Sequence, residues 1–134
     1  MAHNLLKIIS SFAAIIFIGT MFAGCTSSYR TVNPAEAQKI LAGKKDYILL
    51  DVRTLDEYEK KHIPNAVLLP IAEIKAGNVA ATLPDKKQKI LVYCWTGRRA
   101  EDSAAMLVDM GYSNVINLGG LIDWKGDVEG SEIK

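Results

Sequence analysis

The segment ILVYCWTGRRAEDSAAMLVDMGY, residues 90–112, begins as an apolar run and ends as an amphipathic one. Lys89 to Tyr93 has the composition of a β-strand. Arg98 to Met110 places Ala100, Ala104, Leu107 and Val108 on one helical face, and Gly111 closes that helix. Between them stand Cys94, Trp95, Thr96 and Gly97, so the chain must leave a strand and enter a helix within a few residues. Gly97 is the residue able to take φ > 0 in so tight a turn. Such a turn aims successive backbone N–H groups inward as an anion-binding nest, and the helix behind it adds a positive dipole end. A thiol placed there is expected to have a lowered pKa and to react as the thiolate. Glu101 and Asp102 in the first turn would oppose that charge, and they are expected to face solvent. In open α/β sheets the carboxyl ends of strands are where ligands bind, which makes Cys94 the candidate catalytic residue.

The pattern continues outward from this unit. Asn33-Pro34-Ala35-Glu36 gives a helix start, with a capping Asn and Pro at the first helical position, and the helix is expected to end at Gly43. Tyr47–Val52 is a continuous apolar run suited to a strand buried on both faces. Leu55–His62 is expected to be a short helix, Ala66–Leu69 a short strand, and Ile71–Leu83 a helix weakened by Gly77. Asn114–Leu118 is the last expected strand, with Gly119-Gly120 opening a final helical stretch that contains Trp124. Short apolar strands alternating with helices argue for one α/β domain, residues 31–134, with a parallel central sheet flanked by helices on both faces.

The first 24 residues differ from the rest. MAHNLLK carries one positive charge, and the apolar segment IISSFAAIIFIGTMFAG follows it, the pattern of an export signal. The end Phe22-Ala23-Gly24-Cys25 resembles the bacterial lipobox, although Phe22 stands where Leu is usual. That resemblance implies cleavage before Cys25, lipidation of Cys25, a tether over residues 25–30, and an extracytoplasmic lipoprotein held at a membrane of the cell envelope. Two or three acyl chains suffice for stable anchoring, whereas one binds only marginally. An uncleaved anchor and a soluble exported product are the alternatives. The chain has two cysteines, so a lipidated Cys25 leaves Cys94 a solitary thiol.

Net charge is +1, and Lys7 in the leader is the excess cation. No basic stripe suited to phosphates occurs, so no nucleic-acid partner is expected. Neither histidine has the spacing to cysteines or carboxylates of a metal site, and no glycine-rich nucleotide loop is present, so no metal or cofactor is expected.

CWTGRRA resembles the C-x-x-G-x-R-[AS] active-site loop of the single-domain rhodanese sulfurtransferases, and the small exported members are the nearest subgroup. LLDVRTLDEYEKKHIPNAVLLP resembles that family's D-V-R, E-[FY] and H-I-P-G-A segment, and INLGGLIDW resembles its G-G-x-x-x-W. The resemblance implies a rhodanese-like fold and double displacement: Cys94 takes a sulfane sulfur from a small donor such as thiosulfate, and a thiol or cyanide removes it. It also implies that the loop Trp95, Thr96, Gly97, Arg98, Arg99 and Ala100 holds the persulfide, and that Arg99 shapes the loop or meets the donor's sulfonate. Arg98 either steers anions or is solvated charge, and Trp95 either rims the persulfide or has no role. Asp51, Arg53 and Glu57 are expected to brace the fold, Arg53 and Glu57 as an i, i+4 ion pair, and His62 is expected to be structural. Lys61 and Asn65 replace usual glycines, a departure expected to affect a turn and not the loop. Two other functions share this fold. A binding or sulfur-carrier module would need no catalysis. A phosphatase or arsenate reductase would carry five residues between cysteine and arginine, where this chain has four.

Overall fold

The computed structural model describes residues 28–132. The expected export signal, the lipidated Cys25 and the first part of the tether lie outside the described residues. Five parallel strands form one sheet: β1 (Arg30–Thr31), β2 (Tyr47–Asp51), β3 (Val67–Leu68), β4 (Lys89–Cys94) and β5 (Val115–Gly120), ordered β1-β5-β4-β2-β3. The helices are α1 (Pro34–Ala42), α2 (Leu55–Lys60), α3 (Ile71–Lys75) and α4 (Arg98–Asp109), with a 3₁₀ turn at Leu121–Asp123.

Strand parity decides which side chains meet. Along β4, Ile90, Val92 and Cys94 point to one face and Leu91 and Tyr93 to the other, as the two-residue repeat of a strand requires. The first face packs against Ile74 of α3 and Ala100, Ala104, Leu107 and Val108 of α4. The second packs against Ala37, Ile40 and Leu41 of α1, with Tyr58 of α2 completing the cover. Both faces are therefore dry, which is why β2 and β4 are continuous apolar runs. Each buried leucine in these layers contributes roughly 2 kcal/mol or more by leaving water.

Three expectations change. Arg30, placed in the tether, belongs to the sheet: β1 pairs with β5 through Arg30–Ile116 and Thr31–Asn117. The helix expected to reach Leu83 ends at Lys75, because Gly77 takes φ 80° and the chain continues as turns that still bury Val79 and Leu83. Gly119 and Gly120 extend β5 rather than open a helix, and only Leu121–Asp123 turns helically after them.

Candidate active site

Cys94 is the last residue of β4 and pairs with Gly120 of β5. The turn after it is built as the sequence suggests. Gly97 takes φ 98°, a left-handed conformation that a side chain would strain, and α4 starts at the next residue. The Gly97 N–H donates to Cys94 Sγ at 3.0 Å. Among the described residues, the N–H groups of Thr96, Arg98, Arg99 and Ala100 donate to no backbone carbonyl. Those of Arg98, Arg99 and Ala100 are among the free donors that a helix start always leaves. The Gly97 N–H and these four donors make a collar of amides at the turn, with the α4 dipole behind it.

The same parity that puts Cys94 under the turn also buries it. The residue is 0% exposed, and its inner side rests on the first apolar cluster. The site is therefore mixed, with hydrocarbon below and amides above.

A second glycine lets the turn lie flat. A Cβ on Gly120 would strike the Trp95 carbonyl oxygen and stand 2.7 Å from the Thr96 carbonyl carbon. The Ile122 N–H donates to the Trp95 carbonyl at 3.0 Å, so the 3₁₀ turn after β5 clamps the Cys94 turn.

Arg99 does not form a free anion site. Its guanidinium makes two parallel bonds to Glu57, Nη1 to Oε2 at 2.8 Å and Nη2 to Oε1 at 2.7 Å. These are the short charge-assisted fork bonds that fix geometry best. The Glu57 bonds push the Arg99 pKa up against its partial burial, and the nearby Cys94 sulfur acts in the same direction. Glu57 in turn is held down to about 2, first by Arg99 and, against the cost of burial, by the Thr54 N–H and hydroxyl. Thr54 and Glu57 form a capping box on α2, a signal present in the sequence as T-x-x-E that could have located Glu57 at a strand's carboxyl end.

Arg53 therefore has a different partner from the one expected. It pairs with Asp51 at 2.6 Å, both side chains buried, because Glu57 is drawn away to the loop. Arg53 also donates to the Lys61 carbonyl at 2.6 Å and lies 5.8 Å from the Tyr93 ring centre. Burial, with Asp51 adding, pushes the Tyr93 phenol far up, so it stays neutral and accepts from the Ile63 N–H at 3.1 Å. His62 is structural: Nδ1 lies 2.7 Å from the Tyr58 carbonyl, and its ring stacks on Tyr58 at 3.8 Å.

The remaining loop residues separate. Arg98 is exposed, with only Asp102 near it at 3.9 Å, and Thr96, Glu101 and Asp102 are also exposed. Ala100 is buried against the first cluster. Trp95 packs its ring on the second cluster, whereas Cys94 belongs to the first. Asn65 takes the φ of 64° expected where glycine is usual. Lys61 corrects the sequence expectation: its ammonium stands 5.2 Å from the Trp95 ring centre, so this departure reaches the Cys94 turn.

Comparison with known proteins agrees with this geometry. Thiosulfate sulfurtransferase PspE of Escherichia coli K12 is 38% identical over 74 residues, which cover 55% of this chain and 70% of that one. Thiosulfate sulfurtransferase GlpE of Coxiella burnetii is 36% identical over 98 residues, covering 72% and 88%. A solved rhodanese with anions from E. coli superposes with a TM-score of 0.59 at 33% identity, covering 63% of this chain and 99% of that one. Residues 33–127, including both the Cys94 turn and its Glu57 brace, match the model described as the rhodanese-like domain. The chain belongs to the rhodanese-like domain family.

Proposed function

We propose that this protein is a thiosulfate-type sulfurtransferase working through a Cys94 persulfide. The observation that carries the reading is the Gly97 N–H on Cys94 Sγ, with four neighbouring N–H groups left without a backbone acceptor. The Cys94 thiolate attacks the outer sulfur of thiosulfate. The new Cys94–sulfur bond forms as the donor's S–S bond breaks, and sulfite leaves with the electron pair. No general acid is needed, because sulfite is a stable anion. The collar then faces the terminal sulfur of an anionic persulfide, where preorganised donors act most strongly. An acceptor thiolate, or cyanide, takes that sulfur and returns Cys94 as thiolate, so ping-pong kinetics are expected.

The test treats reduced protein with thiosulfate and weighs it. Wild type is expected to gain the mass of one sulfur atom on Cys94 and to make thiocyanate from cyanide, and Cys94→Ser to do neither. A second reading, a module that binds without turnover, draws on the complete burial of Cys94. Wild type that folds yet neither loads nor turns over would favour it. The four-residue spacing from Cys94 to Arg99 disfavours a phosphate-sized cradle, and an aryl phosphate left intact would agree.

We further propose that the protein is an extracytoplasmic lipoprotein, a reading supported by the leader and by Cys25 alone. Labelled palmitate should enter wild type in a bacterial host and be absent from Cys25→Ser. Label in the variant would overturn lipidation at that position.

A further inference from the structure

Beside the Cys94 turn lies a cleft of about 230 Å³ lined by Arg53, Glu57, Lys60, Lys61, Trp95 and Glu132. Two of these side chains are already committed, Arg53 to Asp51 and Glu57 to Arg99. The others are not. Neither Lys60, Lys61 nor Glu132 forms an ion pair among the described residues. The cleft therefore offers two ammonium groups, one carboxylate and an aromatic wall.

Its walls are fixed by backbone. The Arg53 bond to the Lys61 carbonyl ties the end of α2 to the end of β2. The opposite wall is the segment 129–132, laid along the end of α2. Its bonds run from Glu129 N to the His62 carbonyl at 2.9 Å, Ser131 N to Glu59 at 2.8 Å, and Glu132 N to Lys60 at 3.0 Å. Lys61 is held by its contact with Trp95, within the range where an ammonium feels a ring's π-face.

Size and charge together select the occupant. At ~30 Å³ per water, the volume holds about eight waters, more than a small inorganic donor requires. Two free cations against one free anion favour a ligand with more carboxylate than ammonium. Glu57 lines the cleft and binds Arg99, which lies near Cys94, so a ligand seated here needs several bonds between its carboxylate and its reactive atom. Resting on the sulfurtransferase reading, we propose that this cleft seats the acceptor, a small peptide thiol with carboxylates held by Lys60 and Lys61 and its ammonium near Glu132. The step balances: the acceptor thiolate attacks the outer sulfur of the Cys94 persulfide, a new S–S bond forms on the acceptor, and Cys94 departs as thiolate. The acceptor's own proton goes to water when the thiolate forms.

The test measures both half-reactions in the full chain. Loading by thiosulfate is followed by mass, and discharge of the loaded protein is timed with glutathione, a carboxylate-bearing peptide thiol, and with 2-mercaptoethanol, which is neutral. For Lys61→Gln the ratio of glutathione to 2-mercaptoethanol discharge rates, each below saturation, is expected to fall about fivefold, the scale of one exposed charge contact. Lys60→Gln/Lys61→Gln should lower it further, and added salt should shrink the wild-type preference. An unmoved ratio, or a fall confined to loading by thiosulfate, would overturn the acceptor assignment while leaving the sulfurtransferase reading intact. Wild type that never loads would remove that reading, and this assignment with it.

Discussion

The carboxyl ends of β2 and β4 each meet an arginine–carboxylate pair, and the two pairs are built to opposite specifications. Asp51 and Arg53 lie two residues apart, 0% and 3% exposed, and interlock with the Lys61 carbonyl and Tyr93. Glu57 and Arg99 lie 42 residues apart, each about one-third exposed at 34%, and join α2 to the reactive turn. The buried pair cannot lose one member without stranding a charge in a dry layer. The rim pair can, because water replaces the missing partner. The first therefore holds the fold, and the second holds the turn over Cys94.

Breaking the buried pair should have the largest effect. Arg53→Met leaves Asp51 without its cation, and chemical denaturation is expected to show a loss of about 3–5 kcal/mol. Arg99→Met should cost about 1 kcal/mol or less in the same assay, while slowing persulfide loading by at least about tenfold through a looser turn. Equal destabilisation by the two variants would erase the distinction drawn between the pairs. Gly120→Ala tests the turn from its other side. The added methyl group must displace Trp95 and Thr96, at a cost of about 1–3 kcal/mol, with loading falling more than stability does. Loading at the wild-type rate would mean that the turn's position is not what the chemistry needs.

The smallest effect is the acid response of the rim. The Glu57 carboxyl is held at about 2 against an ordinary 4.5, so its contribution is complete above pH 4.5 and is lost as pH falls through 2. Solvent screening at this partly exposed site reduces the expected loss to about 1 kcal/mol or less. Glu57→Gln should flatten the stability profile between those limits, and an unchanged slope would show that another carboxylate carries it.

The sequence made the local features legible and left the distant pairings hidden. The strand, Gly97 and the helix start could be read within a dozen residues, because parity, a positive φ and an amphipathic face are local properties. Arg30–Thr31 could not, since both residues of that strand are exposed and only backbone pairing with β5 defines it. Glu57 was matched to Arg53 by helical spacing, yet its partner sits 42 residues away on the turn. Lys61 was assigned to a turn for the same reason, and its contact with Trp95 comes from folding, not from sequence distance. Trp95 shows the limit of parity outside a strand: its position next to Cys94 leaves open a rim over the persulfide or no role, and its ring packs with the second cluster.

Full burial of Cys94 has a consequence for selectivity by size. A reagent must reach the sulfur through the turn of backbone that covers it, so small reacting groups have an advantage over large ones. Bulky disulfides and folded protein partners meet only the outer surface of the turn. A lone thiol kept this way is sheltered from mixed-disulfide formation by steric exclusion, independent of any reducing system around it.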